Sequence, residues 1–276
     1  MYLQRCIVKL LLMLLVASGS AGADTPRRVV STNLCTDQLL LMLAEPGQIA
    51  SVSHLAVEPE SSYMAAEARN HPLNHAEVEE LLTLKPDLIL AGAFTRKATV
   101  NLLRDLGYRV EVFPLTDNIE AIKQNMERMA RLLGQQAKGK MLIDDMERRI
   151  ASVKTSAPSH RLPALFYQPR GYTSGTNTLH DEALKLTGWR NVATEHGVAG
   201  YGVIDLESVL LAEPVQFFTS NYGQGSDSLA QRQLHHPALR MITGGRPMIN
   251  IGFRYWICGG PMIADAIEQL AEIRNR

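Results

Sequence analysis

The chain has 276 residues, 46% of them hydrophobic and 20% charged, the composition of an ordinary globular protein with one large domain or two modest ones. These proportions exclude coiled-coil, collagen-like and disordered classes. Lys plus Arg and Asp plus Glu both number 28, so the formal net charge is zero and the basic excess of a general nucleic-acid binder is missing.

Residues 1–23 read as a signal peptide. Arg5 and Lys9 supply the positive start, and residues 10–17 form an apolar stretch too short to span a bilayer and stop there. Ala21-Gly22-Ala23 is a small-x-small cleavage site, so the mature chain is expected to begin at Asp24. Cys35 and Cys258 then remain. In an exported protein an even number suits a disulfide. The two lie at opposite ends of the mature chain, and a pair of unbonded thiols fits equally well.

Residues 28–32 (RVVST) are a β-branched run ended by Asn33, and helical spacing follows over 37–44. Residues 48–53 (QIASVS) form a second strand, 70–74 a polar loop, and 76–84 a helix broken by Pro86. Residues 87–91 (DLILA) are continuously apolar, as in a strand buried on both faces. A helix over 96–106 stops at Gly107, and 109–113 (RVEVF) is the next strand. Strands alternating with helices predict a parallel α/β sheet.

The alternation then lapses. Asp117-Asn118-Ile119-Glu120 is a capping box that opens a helix running to about residue 133, where Gly134 interrupts. A second helix spans 135–154, with Leu142, Met146, Ile150 and Val153 on one stripe. At 1.5 Å per residue it is a rod of roughly 30 Å, long enough to bridge two lobes. After a polar, proline-marked exit over 155–163, alternation resumes. Strand 164–167 (ALFY) leads to helices 178–186 and 205–212, strands 215–219 and 247–251, and a closing helix over 261–274.

One internal echo stands out. Glu79 and Glu207 each precede by seven residues a proline, Pro86 and Pro214, that ends a helix and leads into a strand. Two similar lobes would produce this pattern, and so would the frequent use of a helix-Pro-strand turn.

Enzyme signatures are missing: no GxSxG elbow, HExxH or dinucleotide fingerprint occurs. Residues 134–141 (GQQAKGKM) mimic a phosphate loop but lack the Ser or Thr after the Lys and fall in a helical region. The histidines show no ligand spacing, and adjacent His235 and His236 cannot easily share one ion, so no metal site is read. His54 differs, because it follows a strand, and open parallel sheets bind ligands at the carboxyl ends of their strands. A surface-loop histidine explains it equally well.

The other strand ends collect candidates of the same kind. Asn33, Cys35 and Thr36 follow the first strand, Phe94 and Arg96 the DLILA strand, and Tyr167, Arg170 and Tyr172 the ALFY strand. Asn221 and Tyr222 follow strand 215–219, and Phe253, Arg254, Tyr255, Trp256 and Cys258 follow the last strand. Aromatic residues are only 6% of the chain, yet they gather here. A large amphipathic ligand between the lobes would cover them, with Arg96, Arg170 or Arg254 meeting its anionic parts. The alternative is that the rings pack a lobe core.

Four segments carry a resemblance: residues 28–41 (RVVSTNLCTDQLLL), 79–91 (EELLTLKPDLILA), 175–193 (GTNTLHDEALKLTGWRNVA) and 258–270 (CGGPMIADAIEQL). With them the chain resembles, over nearly its whole mature length, the substrate-binding proteins of bacterial ABC importers for iron–siderophore, haem and vitamin B12. The resemblance implies an α/β fold of two Rossmann-like lobes with parallel sheets, 24–134 and 156–276, joined by a single long backbone helix over 135–155. It implies a monomeric periplasmic protein with no catalytic activity and no cofactor of its own, whose partner is an ABC permease dimer in the inner membrane. It also implies a large metal chelate or tetrapyrrole as ligand. By the match of each helix-Pro segment, Glu79 and Glu207 are the carboxylates that dock arginines of the permease, one per lobe. Cys35 and Cys258 fall in cleft-lining segments, one per lobe, where they either bond across the cleft or offer thiols to a metal-bearing ligand. The stretch 33–38 (NLCTDQ) departs from the well-known members, so iron chelate, haem and corrinoid all stay open.

Two rival readings accompany this one. A periplasmic binder of free zinc or manganese needs three or four convergent His, Asp or Glu ligands. An exported enzyme with Cys35 or Cys258 as nucleophile needs a base beside the thiol, and no His neighbours either Cys in sequence.

Overall fold

The structure, a computed structural model, describes residues 25–220, 234, 237–242 and 244–276. The predicted signal peptide, Asn221, Tyr222 and the His235-His236 pair lie outside the described residues. Helices of six or more residues are labelled.

The first half begins with β1 (Val29–Ser31), α1 (Leu34–Leu43), β2 (Ile49–Ser53), β3 (Leu73–Asn74) and α2 (Val78–Thr83). It continues with β4 (Leu88–Gly92), α3 (Lys97–Asp105), β5 (Val110–Phe113) and α4 (Ile119–Leu133). Its five strands form one sheet in the order β3-β2-β1-β4-β5, and every pair is parallel. Every residue of β4 is buried, which is why the DLILA run is apolar without alternation.

Two local features differ from expectation. Helix α1 starts at Leu34 rather than 37, because the Asn33 side chain accepts the Cys35 N–H at 3.0 Å and caps it earlier. The polar loop at 70–74 ends in the edge strand β3. Buried Asn74 stitches it down, donating to the Ser31 carbonyl (2.9 Å), Ser51 Oγ (2.7 Å) and the Val52 carbonyl (3.0 Å). An apolar-periodicity reading cannot see a strand held by an amide side chain.

Helix α5 (Gln136–Ser156) follows. It packs against α4 on one side and against the last helix, α9 (Ile263–Arg274), on the other. Its buried positions are Gly139, Ile143, Met146 and Ile150, with Leu142 and Val153 flanking, so the buried stripe is rotated slightly from the predicted one. Gly139 sets the crossing with α4. A Cβ there would fall 2.5 Å from the Cβ of Ala130, so any side chain would push the helices apart. Arg149 on α5 donates to Glu268 (2.8 Å from Nε) and to Asp265, both on α9, and Tyr63 of the first half donates its hydroxyl to Asp265 at 2.8 Å.

The second half contains β6 (Leu162–Phe166), β7 (Tyr172–Ser174), α6 (Leu179–Leu186), β8 (Trp189–Asn191), β9 (Tyr201–Val203) and α7 (Leu206–Ala212). Then come β10 (Gln216–Thr219), α8 (Pro237–Ile242), β11 (Ile249–Asn250) and α9. Four strands form a parallel sheet in the order β11-β10-β6-β8, while β7 and β9 form a separate antiparallel ribbon. Strand β8 and the ribbon had no sequence signal. Each strand has three residues, and β9 carries Gly202 where an apolar residue would have marked it.

One apolar cluster runs through the whole molecule. Leu88 and Leu90 of the first sheet, Met126 and Met129 of α4, Ile143 and Met146 of α5, Ile263 and Ile267 of α9, and Phe166 and Phe218 of the second sheet all belong to it. The fold is therefore α/β, with two parallel sheets packed around a shared helical spine.

Asp37 is buried within the first half and accepts hydrogen bonds from the Ser53 N–H and hydroxyl. Loss of water outweighs these bonds and pushes its carboxyl up to about 6. The native protein thus holds a proton that the unfolded chain releases near pH 4. Its contribution to stability is complete below that pH and is lost as pH rises through about 6. Asp37→Asn is expected to flatten the fall in melting temperature between pH 4 and 6, a change of order 2–3 kcal/mol. An unchanged profile by scanning calorimetry would refute the assignment.

Candidate functional site

The carboxyl ends of both sheets open onto one cavity of about 850 Å³. On the first-half side it is lined by Asn33 to Thr36 at the start of α1, by Leu55, by Gly92 to Phe94 after β4, and by Phe113 to Asp117 after β5. Gly92 is required here, since a Cβ would lie 2.5 Å from Cγ of Asn33 and displace the side chain that caps α1. The second-half side is formed by Gln168 and Pro169, by Tyr172 to Ser174 and Tyr201 on the ribbon, and by His180, Ser220, Phe253 and Trp256 to Cys258.

The floor is covalent. Cys35 in the first turn of α1 and Cys258 before α9 form a disulfide, with Cα atoms 4.7 Å apart. The hydroxyl of Thr116 donates to the Cys258 carbonyl at 3.3 Å beside it. Both cysteines line the cavity, so no free thiol is presented there.

The wall is aromatic. Trp256 is 5% exposed and anchors its indole N–H on the Ile251 carbonyl at 3.2 Å. His180 stacks on it, and Phe166 meets both rings edge-on. Phe94, 80% exposed, Leu115, Tyr172 and Tyr201 form an open apolar rim. Exposed large side chains clustered around a concavity mark a binding surface.

The structure brings together Asn33, Cys35, Thr36, Phe94, Tyr172, Trp256 and Cys258 of the predicted set. Others lie away from the lining. Tyr167 is 1% exposed and packs on Phe217 in the outer core of the second sheet. Successive strand residues face opposite sides, so with Phe166 packed behind His180 and Trp256 in the shared core, its neighbour points the other way. His54 is exposed and stacks on His75, with centroids 4.9 Å apart. Arg96 is exposed just before α3, and Arg170 is exposed in a left-handed turn (φ 63°). Arg254 lies over the Tyr255 ring at 5.2 Å, and Tyr255 faces Tyr63 across the lobes rather than the cavity. Being close to a strand end in sequence places a residue near the cleft without aiming its side chain into it.

His180, Tyr201, Gln168, Ser220 and the 113–117 loop line the cavity but had no sequence signal pointing to a ligand. Tyr201 sits between two glycines and reads as a flexible loop until the ribbon places it. Among the described residues, no group of three His, Cys, Asp or Glu side chains is placed to hold a metal ion. Glu79 and Glu207 are exposed in the first turns of α2 and α7, one in each half and neither in the cavity lining.

A family model described as periplasmic binding protein matches residues 29–246. A cobalamin-binding protein of Halobacterium salinarum is 27% identical over 194 residues, which cover 68% of this chain and 52% of that protein. The chain thus spans about half the length of that relative. A vitamin B12-binding protein of Photorhabdus laumondii is 27% identical over 97% of this chain and 94% of its own length. Among solved structures, the apo form of a periplasmic haem-binding protein from Roseiflexus sp. has a TM-score of 0.75 at 22% identity, covering 89% of this chain and 97% of that one. That likeness shows the fold.

Proposed function

This chain belongs to the periplasmic binding protein family, and from that premise we propose that it captures a large metal chelate or tetrapyrrole in the periplasm and hands it to an ABC permease dimer in the inner membrane. It is a binding protein and not an enzyme. The cargo class is an iron chelate, haem or a corrinoid. The observation that carries this reading is the aromatic-rimmed cavity of about 850 Å³ between the two sheets, the size and character of a site for a large amphipathic molecule.

Each part of the site has a physical task. Trp256, Phe94, Tyr172 and Tyr201 offer ring faces and edges to a flat apolar body. Asn33 and Gln168 supply neutral hydrogen-bonding groups for its polar periphery, while the Thr36 hydroxyl is buried and bonded to Ser31 and the Asn33 carbonyl. The α5 spine and the disulfide hold the lobes at a nearly fixed separation, so the cavity is preformed and little ordering entropy is lost on binding. Glu79 and Glu207 dock the permease, one from each lobe. Their exposure, their separation from the cavity and their equivalent places in α2 and α7 support this role.

The test is an absorption spectrum of protein purified from the native periplasm, with titrations of haem, cobalamin and a panel of ferric siderophores. A visible band that saturates at one cargo per protein is the expected result. A colourless protein that binds none of them and holds zinc or manganese would overturn the proposal in favour of a free-metal binder.

A further inference from the structure

His180 is 7% exposed and forms part of the cavity wall. Its ring lies 4.2 Å from that of Trp256, with planes 18° apart, and 4.5 Å from Phe166. Among the described residues neither of its ring nitrogens has a hydrogen-bond partner, and the same holds for Oγ of Ser220, which also lines the cavity. Buried polar groups left without partners destabilise a fold, and native proteins keep few of them. Two such groups on one cavity are accounted for if their partner arrives from outside. Desolvation holds the imidazole neutral, so it offers one donor and one acceptor rather than a charge.

Charge gives the second, independent observation. Among the described residues that line the cavity, Asp117 is the single charged side chain, and it is an anion. Arg96, Arg170 and Arg254 stand outside the lining. A cargo with carboxylates or catecholates at its edge would lose hydration here without gaining a cation. A cargo whose side arms are amides or hydroxyls would instead supply what His180 and Ser220 lack. Resting on the function proposed above, we propose that His180 and Ser220 hydrogen-bond a neutral side arm of the cargo, and that the cavity selects amide- or hydroxyl-bearing cargo over the same ring bearing carboxylates.

Two corrin probes with the same ring and cobalt centre separate these cases. Dicyanocobinamide carries amides, and dicyanocobyrinic acid carries carboxylates in their place. The unmodified protein is expected to bind the amide form at least about tenfold more tightly by fluorescence or calorimetric titration. His180→Phe keeps a ring against Trp256 but removes both nitrogens. It is expected to weaken binding of the amide form by about tenfold while leaving the melting temperature of the cargo-free protein unchanged or higher. Equal or tighter binding of the acid form overturns the charge selection. A lower melting temperature with unchanged affinity gives His180 a packing role and overturns its part. Binding of haem or a ferric catecholate with neither corrin bound overturns this inference and leaves the proposed function standing. Failure of every chelate overturns both.

Discussion

A protein carrying Glu79→Lys together with Glu207→Lys is expected to bind its cargo with unchanged affinity and to support no uptake. Both carboxylates are solvent-exposed in the first turn of a short helix, one in each half of the chain, and neither lines the cavity. Placing lysine there removes only the modest favourable interaction of a carboxylate with a helix N-terminus, on the order of 0.3–1 kcal/mol. The fold should therefore survive. At an interface the consequence is larger. Losing one partner of a desolvated charge pair costs about 2–5 kcal/mol, and a lysine facing arginine adds repulsion. Two such sites acting together are enough to abolish productive docking, while each single reversal should leave partial transport. Uptake of radiolabelled cargo, measured beside equilibrium affinity, decides the matter. Reduced affinity would mean that the glutamates serve the fold, and full uptake would mean that docking uses another surface.

The second large effect is on stability. Replacing both Cys35 and Cys258 by serine opens a loop closed across 223 residues. Chain-entropy reasoning sets a ceiling of about 5 kcal/mol for a loop of that length, and removal of native disulfides typically costs about 2–5 kcal/mol. For a protein of this size that corresponds to a fall in melting temperature of roughly 5–15 °C. Reductant should bring the unmodified protein to the level of the double variant and leave the variant itself unaffected. A double variant that melts within about 2 °C of the parent, less than 1 kcal/mol on the same scale, would show that the shared core holds the lobes without the bond.

Much of the architecture was legible because its signals are local. The DLILA run, Gly107, the helix start at Asn118 and the uninterrupted helix before Pro158 each follow from backbone or burial rules that act over a few residues, although the box read over 117–120 is a single cap: Asn118 accepts the Ala121 N–H, and Glu120 pairs with Lys123 instead. Strands β3, β7, β8 and β9 escaped for the opposite reason. Asn74 holds β3 through three long-range hydrogen bonds, and β7 and β9 exist because they pair with each other. The site divides in the same way. Asn33, Cys35 and Thr36 are directed by the helix they begin, so their position in sequence is also their position in the cleft. Tyr167 and Arg170 follow a strand just as closely, but strand alternation and a left-handed turn aim them elsewhere. His180 became visible only when Trp256, 76 residues later, closed over it. No spacing rule joins two residues whose relation is one ring lying flat on another.

The bond between Cys35 and Cys258 also bears on how the molecule is made. Beyond residue 6 the sequence contains no other cysteine. A chain that emerges amino end first presents Cys35 early and keeps it waiting until the residues up to Cys258 have followed. Apart from Cys6, the sequence offers it no other cysteine with which to pair wrongly. Closure therefore waits for the second half of the fold, and a chain interrupted anywhere before residue 258 cannot undergo it. The linkage certifies that both halves of the fold, as far as residue 258, have been made.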